Sequence, residues 1–222
     1  MTSPLVSVVV AAYNSEKFID EALQSAWNQT YKNFEIIVVN DGSTDATSSV
    51  LETWKENIHI VTQENRGIAG ARNSGIARAR GTLIALLDAD DIWMPTKLEE
   101  QVRFLAENPD IDVVFTYAQN FIHSDSKKMI DATSTLPVLR GHIPPACLFK
   151  TELLARVGVF DESLTIGEFA EWYGRALHAN VRMGCVSSLL VKRRIHGQNI
   201  GIREKERMHD YVQILYKKLH AK

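Results

Sequence analysis

Apolar runs and amphipathic segments alternate along the first half of the chain. Val6 to Ala12 is a β-branched run broken by Ser7, the pattern of a strand buried on both faces. Phe34 to Asn40 repeats it, and Ile58 to Thr62 and Asp112 to Tyr117 are shorter versions. Leu83 to Leu87 runs straight into Asp88, Asp90 and Asp91. After the first run, Ser15 stands where it can cap a helix with Phe18, Ile19, Ala22, Leu23, Ala26 and Trp27 on one face. Further helices are expected from about Asp45 to Lys55, from Arg66 to Arg80 with Gly81 as the C′ stop, and from Pro95 at N1 to about Glu107. The alternation predicts an α/β protein, a Rossmann-like, mostly parallel sheet with helices on both faces.

The second half is less regular. Residues 120–145 carry polar residues, Gly141 and Pro144-Pro145, which suits a hairpin and an ordered loop. Leu148 to Val157 reads as a strand and a short helix, Gly167 to Asn180 as helix, Met183 to Val191 as strand, and Glu204 to His220 as an amphipathic helix. Without repeat, low-complexity tract or linker, residues 1–222 read as one domain.

Composition excludes several classes. With 45% hydrophobic and 23% charged residues and a formal net charge of −2, there is no basic excess for general nucleic-acid binding. Cys147 and Cys185 lack metal-ligand spacing and read as buried thiols of a reducing compartment. No basic segment followed by an apolar core opens the chain, and no window reaches the roughly 18 apolar residues of a membrane span. The expected location is cytoplasmic, with peripheral contact at the inner membrane face left open. Gly67, Gly70 and Gly75 are spaced G-x-x-G-x-x-x-x-G, which is not the dinucleotide fingerprint. Neither G-x-x-x-x-G-K-[ST], H-E-x-x-H nor G-x-S-x-G occurs.

The chemistry concentrates at strand ends: Tyr13-Asn14, Asp41, and Asp88/Asp90/Asp91. In a parallel sheet these ends line one crevice. Clustered carboxylates are tolerable if solvated or shared with a cation. One reading is a solvated acidic turn; the other is a metal site that takes carboxylate and diphosphate oxygens together. Asp41 can accept a hydrogen bond from a base or ribose, or cap the helix behind it.

Ser7-Val8-Val9-Val10-Ala11-Ala12-Tyr13-Asn14, Asp41-Gly42-Ser43-Thr44-Asp45, Asn65-Arg66-Gly67, Ala71-Arg72-Asn73-Ser74-Gly75 and Leu87-Asp88-Ala89-Asp90-Asp91 together resemble family 2 glycosyltransferases. Order and spacing match across roughly residues 5 to 200. The resemblance implies a GT-A fold, a nucleotide-sugar donor (most often a UDP-sugar), Mn²⁺ or Mg²⁺, and inversion at the anomeric carbon. It implies that Asp41 reads the uracil, that Asp88 lies near the ribose, that Ala89 belongs to the donor site, and that Asp90 holds the metal. Ala12, Tyr13 and Asn14 would border the nucleotide and Arg72 would face it. Residues of about 5–117 would then bind the nucleotide sugar, 118–200 the acceptor, and 203–220 would form a C-terminal helix.

Family members carry the catalytic base in a Glu-Asp pair that opens a late helix. Glu168 and Arg175 fit that pattern, but Phe169 replaces the Asp. Glu168 and Glu171 lie three apart on one helix face, so either can serve as base. Alternatively, Glu168 stabilises the helix N-terminus and Glu171 pairs with Arg175. Lys192 to Asn199 resembles the family's arginine-histidine-asparagine stretch, in which His196 would complete the metal shell or meet the diphosphate and Arg193 or Arg194 would screen it.

The expected activity is therefore metal-dependent, inverting sugar transfer. The other reading is a nucleotide-sugar-binding protein with weak or no transfer, suggested by Phe169. A nucleotidyltransferase would want a glycine-rich, basic loop after the first strand, which Ala11 to Asn14 does not offer. The acceptor is not specified: saccharide, lipid-linked glycan and peptide all remain. The terminal helix is expected to pack on the domain, with a homodimer or membrane-surface contact as the second reading.

Overall fold

The computed structural model describes residues 3–122, 138–197 and 199. One nine-stranded sheet runs through them in the order β3-β2-β1-β4-β8-β6-β9-β5, with β7 paired to β6. Its first four strands are β1 (Val6–Ala12), β2 (Phe34–Asp41), β3 (His59–Gln63) and β4 (Leu83–Asp88), all parallel. Alternation along them divides the core. Val8, Val10, Ala85 and Leu87 pack with α1 (Ile19–Trp27), α2 (Thr47–Glu52) and α4 (Lys97–Glu107). Val9, Ile84 and Leu86 belong to a second cluster with α3 (Gly67–Ile76) and α6 (Glu168–His178). Both faces of the sheet are thus buried, which is why β1 and β4 read as apolar runs, interrupted in β1 by the buried Ser7.

The second half departs from simple alternation. β6 (Val113–Ile122) lies parallel to β9 (Met183–Ile195), with a register shift on either side of Tyr117. Between β4 and β6 the chain inserts β8 (Leu148–Lys150), antiparallel to both. β5 (Ile92–Trp93) is antiparallel to β9, and β7 (Val138–Arg140) is antiparallel to β6 at Tyr117–Gln119; most of the hairpin and loop expected over 120–145 lies outside the described residues. Three-residue and two-residue strands carry too few positions to show a period, so the sequence marked them weakly. A short helix, α5 (Leu154–Val157), precedes the loop that leads to α6.

Several local expectations are corrected. Ser15 does not cap α1: its main-chain oxygen closes a turn with the N–H groups of Phe18 and Ile19, and its hydroxyl donates to the Tyr13 oxygen. α2 is shorter than 45–55. α3 ends at Ile76, and Gly81 is not its C′ residue. A Cβ there would stand 2.6 Å from the Leu5 oxygen and 2.7 Å from Ser7 Oγ, so Gly81 serves close backbone approach at the start of β1. α4 begins at Lys97 rather than Pro95. Gly75 has a similar function in the middle of α3, where a Cβ would meet Val9 Cγ1 at 2.4 Å; its absence lets the helix lie close against β1. Cys147 is buried, but Cys185 is exposed. The expected terminal helix lies outside the described residues. No helix among the described residues is long and apolar enough to cross a membrane.

Candidate active site

Register places the polar strand ends on one edge. Ala12 pairs with Asn40, Ala11 with Asp88, and Asp41 with Gln63. Beyond β1 the chain turns at Asn14, whose φ of 47° is left-handed, a conformation asparagine tolerates. The Asn14 side chain accepts the Thr44 N–H at 2.8 Å, and its own N–H donates to Ser43 Oγ at 3.0 Å. Asn14 therefore holds the loops after β1 and β2 together, while Ala12 is buried and Tyr13 exposed beside it. Asp41 does not cap α2. It is buried, and its Oδ1 accepts from Gln63 Nε2 at 2.7 Å and the Arg66 N–H at 2.9 Å.

Arg72 projects from α3 and is 2% exposed. Its Nη2 donates to Asp88 Oδ1 at 2.6 Å and its Nη1 donates to Glu168 Oε1. Burial alone would lower this guanidinium, but the two carboxylates outweigh it and hold it above the ordinary arginine value. Burial raises Asp88, with Asp90 and Glu168 adding to the effect and Arg72 opposing it.

The acidic loop is held from β9. Asp90 Oδ2 lies 2.8 Å from His196 Nε2 and accepts from Asn199 Nδ2 at 3.1 Å. Asn199 also accepts the His196 N–H at 2.5 Å, so Asp90, His196 and Asn199 form one polar cluster. Arg194 is buried with its Nε donating to the Asp90 carbonyl at 2.9 Å and its Nη2 to Glu21. Its guanidinium lies 5.0 Å from the Phe18 ring centroid and 4.6 Å from that of Phe121. In this arrangement Arg194 ties the acidic loop to α1. Asp91 does not support α4, as its place before that helix suggests. It accepts the Arg194 N–H at 2.8 Å, and burial, with Asp90 and Asp88 adding, pushes its carboxyl well above the usual range.

Gly167 adopts φ 77° and Glu168 opens α6. Glu168 is buried against Arg72, whereas Glu171 is taken up by Arg175 Nε at 2.9 and 3.0 Å. Phe169 turns into the core among Phe115, Phe160 and Trp172. Among the described residues no three His, Cys, Asp or Glu side chains converge as a metal cage. Asp90 and His196 do offer two donors.

Glu162 and Glu21 carry no sequence signal, and Asn73 and Asn199 stand in the motifs above without an assigned role. Asn73 lies inside a helix, a setting asparagine disfavours unless its amide has work elsewhere, and that was a legible signal.

The family model for "Glycosyl transferase family 2" matches residues 7–157. The chain belongs to that family. It is 35% identical over 215 residues to an uncharacterized glycosyltransferase of Haemophilus influenzae, covering 87% of this chain and 66% of the relative. It is 41% identical over 123 residues to the Escherichia coli UDP-Glc:alpha-D-GlcNAc-diphosphoundecaprenol beta-1,3-glucosyltransferase WfaP, covering 54% of this chain and 48% of that one. The mannosyltransferase PcManGT of Pyrobaculum calidifontis, solved with GDP-Man and Mn²⁺, superposes with a TM-score of 0.75 at 22% identity, covering all of this chain and 66% of that one. That likeness fixes the fold as GT-A. The chain spans about two thirds of the length of the first curated relatives.

Proposed function

We propose that this family 2 member transfers a sugar from a nucleoside-diphosphate donor, a UDP-sugar by preference, to an acceptor hydroxyl, with a divalent cation and inversion. The observation that carries the reading is Arg72. One buried guanidinium joins Asp88 on the strand-end crevice to Glu168 at the start of α6. Donor-side and acceptor-side carboxylates thus meet across a single cation.

Asp41 accepts from the base, and the exposed Tyr13 offers its ring beside it. Asp90 and His196 fit Mn²⁺ or Mg²⁺: a carboxylate oxygen and an imidazole nitrogen already adjacent, with diphosphate oxygens and water to complete the shell. When bound, the cation offsets charge developing on the departing diphosphate. Glu168, across Arg72 from the donor edge, takes the proton of the attacking hydroxyl, worth about 10² to 10⁴ in rate. Attack opposite the diphosphate then inverts the anomeric carbon. Glu171, spent on Arg175, is the weaker candidate. The named donors of the relatives, UDP-Glc and GDP-Man, support a nucleotide-sugar donor.

Phe169 favours a second reading, nucleotide-sugar binding with weak or no transfer, because the family's Asp is replaced by a core side chain. A thermal-shift panel of UDP-, GDP- and dTDP-sugars with and without Mn²⁺ tests the donor assignment. Metal-dependent stabilisation by UDP-sugars is expected, and no shift with any of them refutes it. Metal-dependent release of UDP from UDP-glucose separates transfer from binding.

A further inference from the structure

α6 carries Glu168, but nothing within α6 fixes where that carboxylate stands. The helix is bolted to the segment before it. Trp172 Nε1 donates to the Gly158 oxygen at 3.0 Å, and Arg175, aligned by Glu171, donates to the oxygens of Val157 and Val159, the latter at 2.7 Å. Phe160 in turn packs its ring 5.7 Å from Trp172 and 6.4 Å from Phe169. Whatever holds residues 157–162 therefore holds α6.

That hold comes from α3. Asn73 accepts the Phe160 N–H through Oδ1 at 3.0 Å and donates Nδ2 to the Phe160 oxygen at 2.9 Å, gripping both polar groups of one residue. The same amide donates to Glu162 Oε1 at 3.0 Å, and Glu162 also takes Arg66 Nη2 at 2.7 Å. Arg72, the neighbour of Asn73 on the same helix, reaches Glu168 directly and stands 5.9 Å from the Phe160 ring centroid.

We propose that Asn73 is a positioning residue for Glu168, setting the carboxylate's place against Arg72 by fixing the backbone of Phe160 and the loop that leads into α6. It touches no reacting atom. A loop that only needed to be tethered would be served by the Arg66–Glu162 pair, which sits on the surface and leaves the main chain free to shift. Asn73 instead fixes the main chain at a residue whose ring meets both Arg72 and α6. Displacement of a catalytic group by about 1 Å can cost about 10²-fold.

The inference rests on the reading of Glu168 as base, and two independent arms keep the two apart. In the first, Asn73→Ala is compared with wild type in Mn²⁺-dependent release of UDP from UDP-glucose. A fall in kcat of about 10- to 100-fold, with KM held within about twofold, is expected. N73D sets a carboxylate oxygen against the Phe160 carbonyl and should lose at least as much as Asn73→Ala. An unchanged kcat in Asn73→Ala overturns the proposal. In the second arm, hydrogen exchange of Asn73→Ala should quicken across residues 158–170 and not in α1 or α4. Unchanged exchange there overturns the proposal whatever the activity. A wild-type chain that releases no nucleotide from UDP-glucose or GDP-mannose would overturn the proposed function instead, with the exchange arm still deciding the role of Asn73.

Discussion

Arg72 and Glu168, 96 residues apart in sequence, form a buried ion pair, and Arg72 extends the same guanidinium to Asp88. One planar cation with five donors in a fixed fork can satisfy two carboxylates that would otherwise repel each other in a dry site. The two contacts of Arg72 fasten α3 and β4 to α6.

Arg72→Met should therefore destabilise the fold as well as silence the site. It leaves Glu168 buried and Asp88 partly buried without a counter-charge, a loss of up to about 3–5 kcal/mol. Arg72→Lys should recover little, because a point charge cannot serve two directions. Urea denaturation checks both, and a loss below about 1 kcal/mol in Arg72→Met would show the pair to be incidental.

Asp90→Asn should separate metal from nucleotide. In the proposed site the carboxylate beside His196 is the strongest donor offered to a cation, while Asp41 and Tyr13 serve the nucleotide. Titration calorimetry of UDP should show affinity without metal unchanged and the gain on adding Mn²⁺ reduced by at least about tenfold. A full Mn²⁺ response in the variant would place the metal elsewhere.

Lys97 is fully buried in α4, its ammonium donating to Gln101 Oε1 at 2.8 Å and lying 3.9 Å from the Trp93 ring centroid. Burial brings it down to about 7. Between pH about 7 and the ordinary lysine value, the unfolded chain thus holds a proton that the folded chain has lost, and stability rises with pH. Below that window the cost of burying the ammonium is complete. Cys147, pushed by burial up to about 12, acts in the opposite sense but only above about pH 9. Lys97→Met should remove about 2–3 kcal/mol of the stability gained between about pH 7 and 9. Parallel pH profiles for variant and wild type would contradict this.

The sequence marked what repeats locally. β1, β2 and β4 are largely apolar runs, with Ser7 and Glu35 as buried exceptions, because both faces are covered, and their polar ends fell on one edge once the strands were taken as parallel. The halves of the molecule differ in this respect. β8 joins β4 to β6 through three residues, a length at which no period is visible. The Arg72–Glu168 pair, the Asn73 grip on Phe160 and the Arg194 anchor on Asp90 all link residues far apart in sequence, and no spacing rule reports such a contact. Gly81 misled for another reason: a glycine after a helical segment fits a C′ stop, but here the missing Cβ makes room for Leu5 and Ser7.

In the proposed function Glu168 is the base and the strand-end crevice holds the donor. Glu168→Gln removes the proton acceptor while keeping a similar shape beside Arg72. With Mn²⁺ present, release of UDP from UDP-glucose should fall by about 10² to 10⁴, while UDP affinity measured by calorimetry stays within about twofold of wild type. Near-normal turnover in that variant would contradict the account and return the role to Glu171.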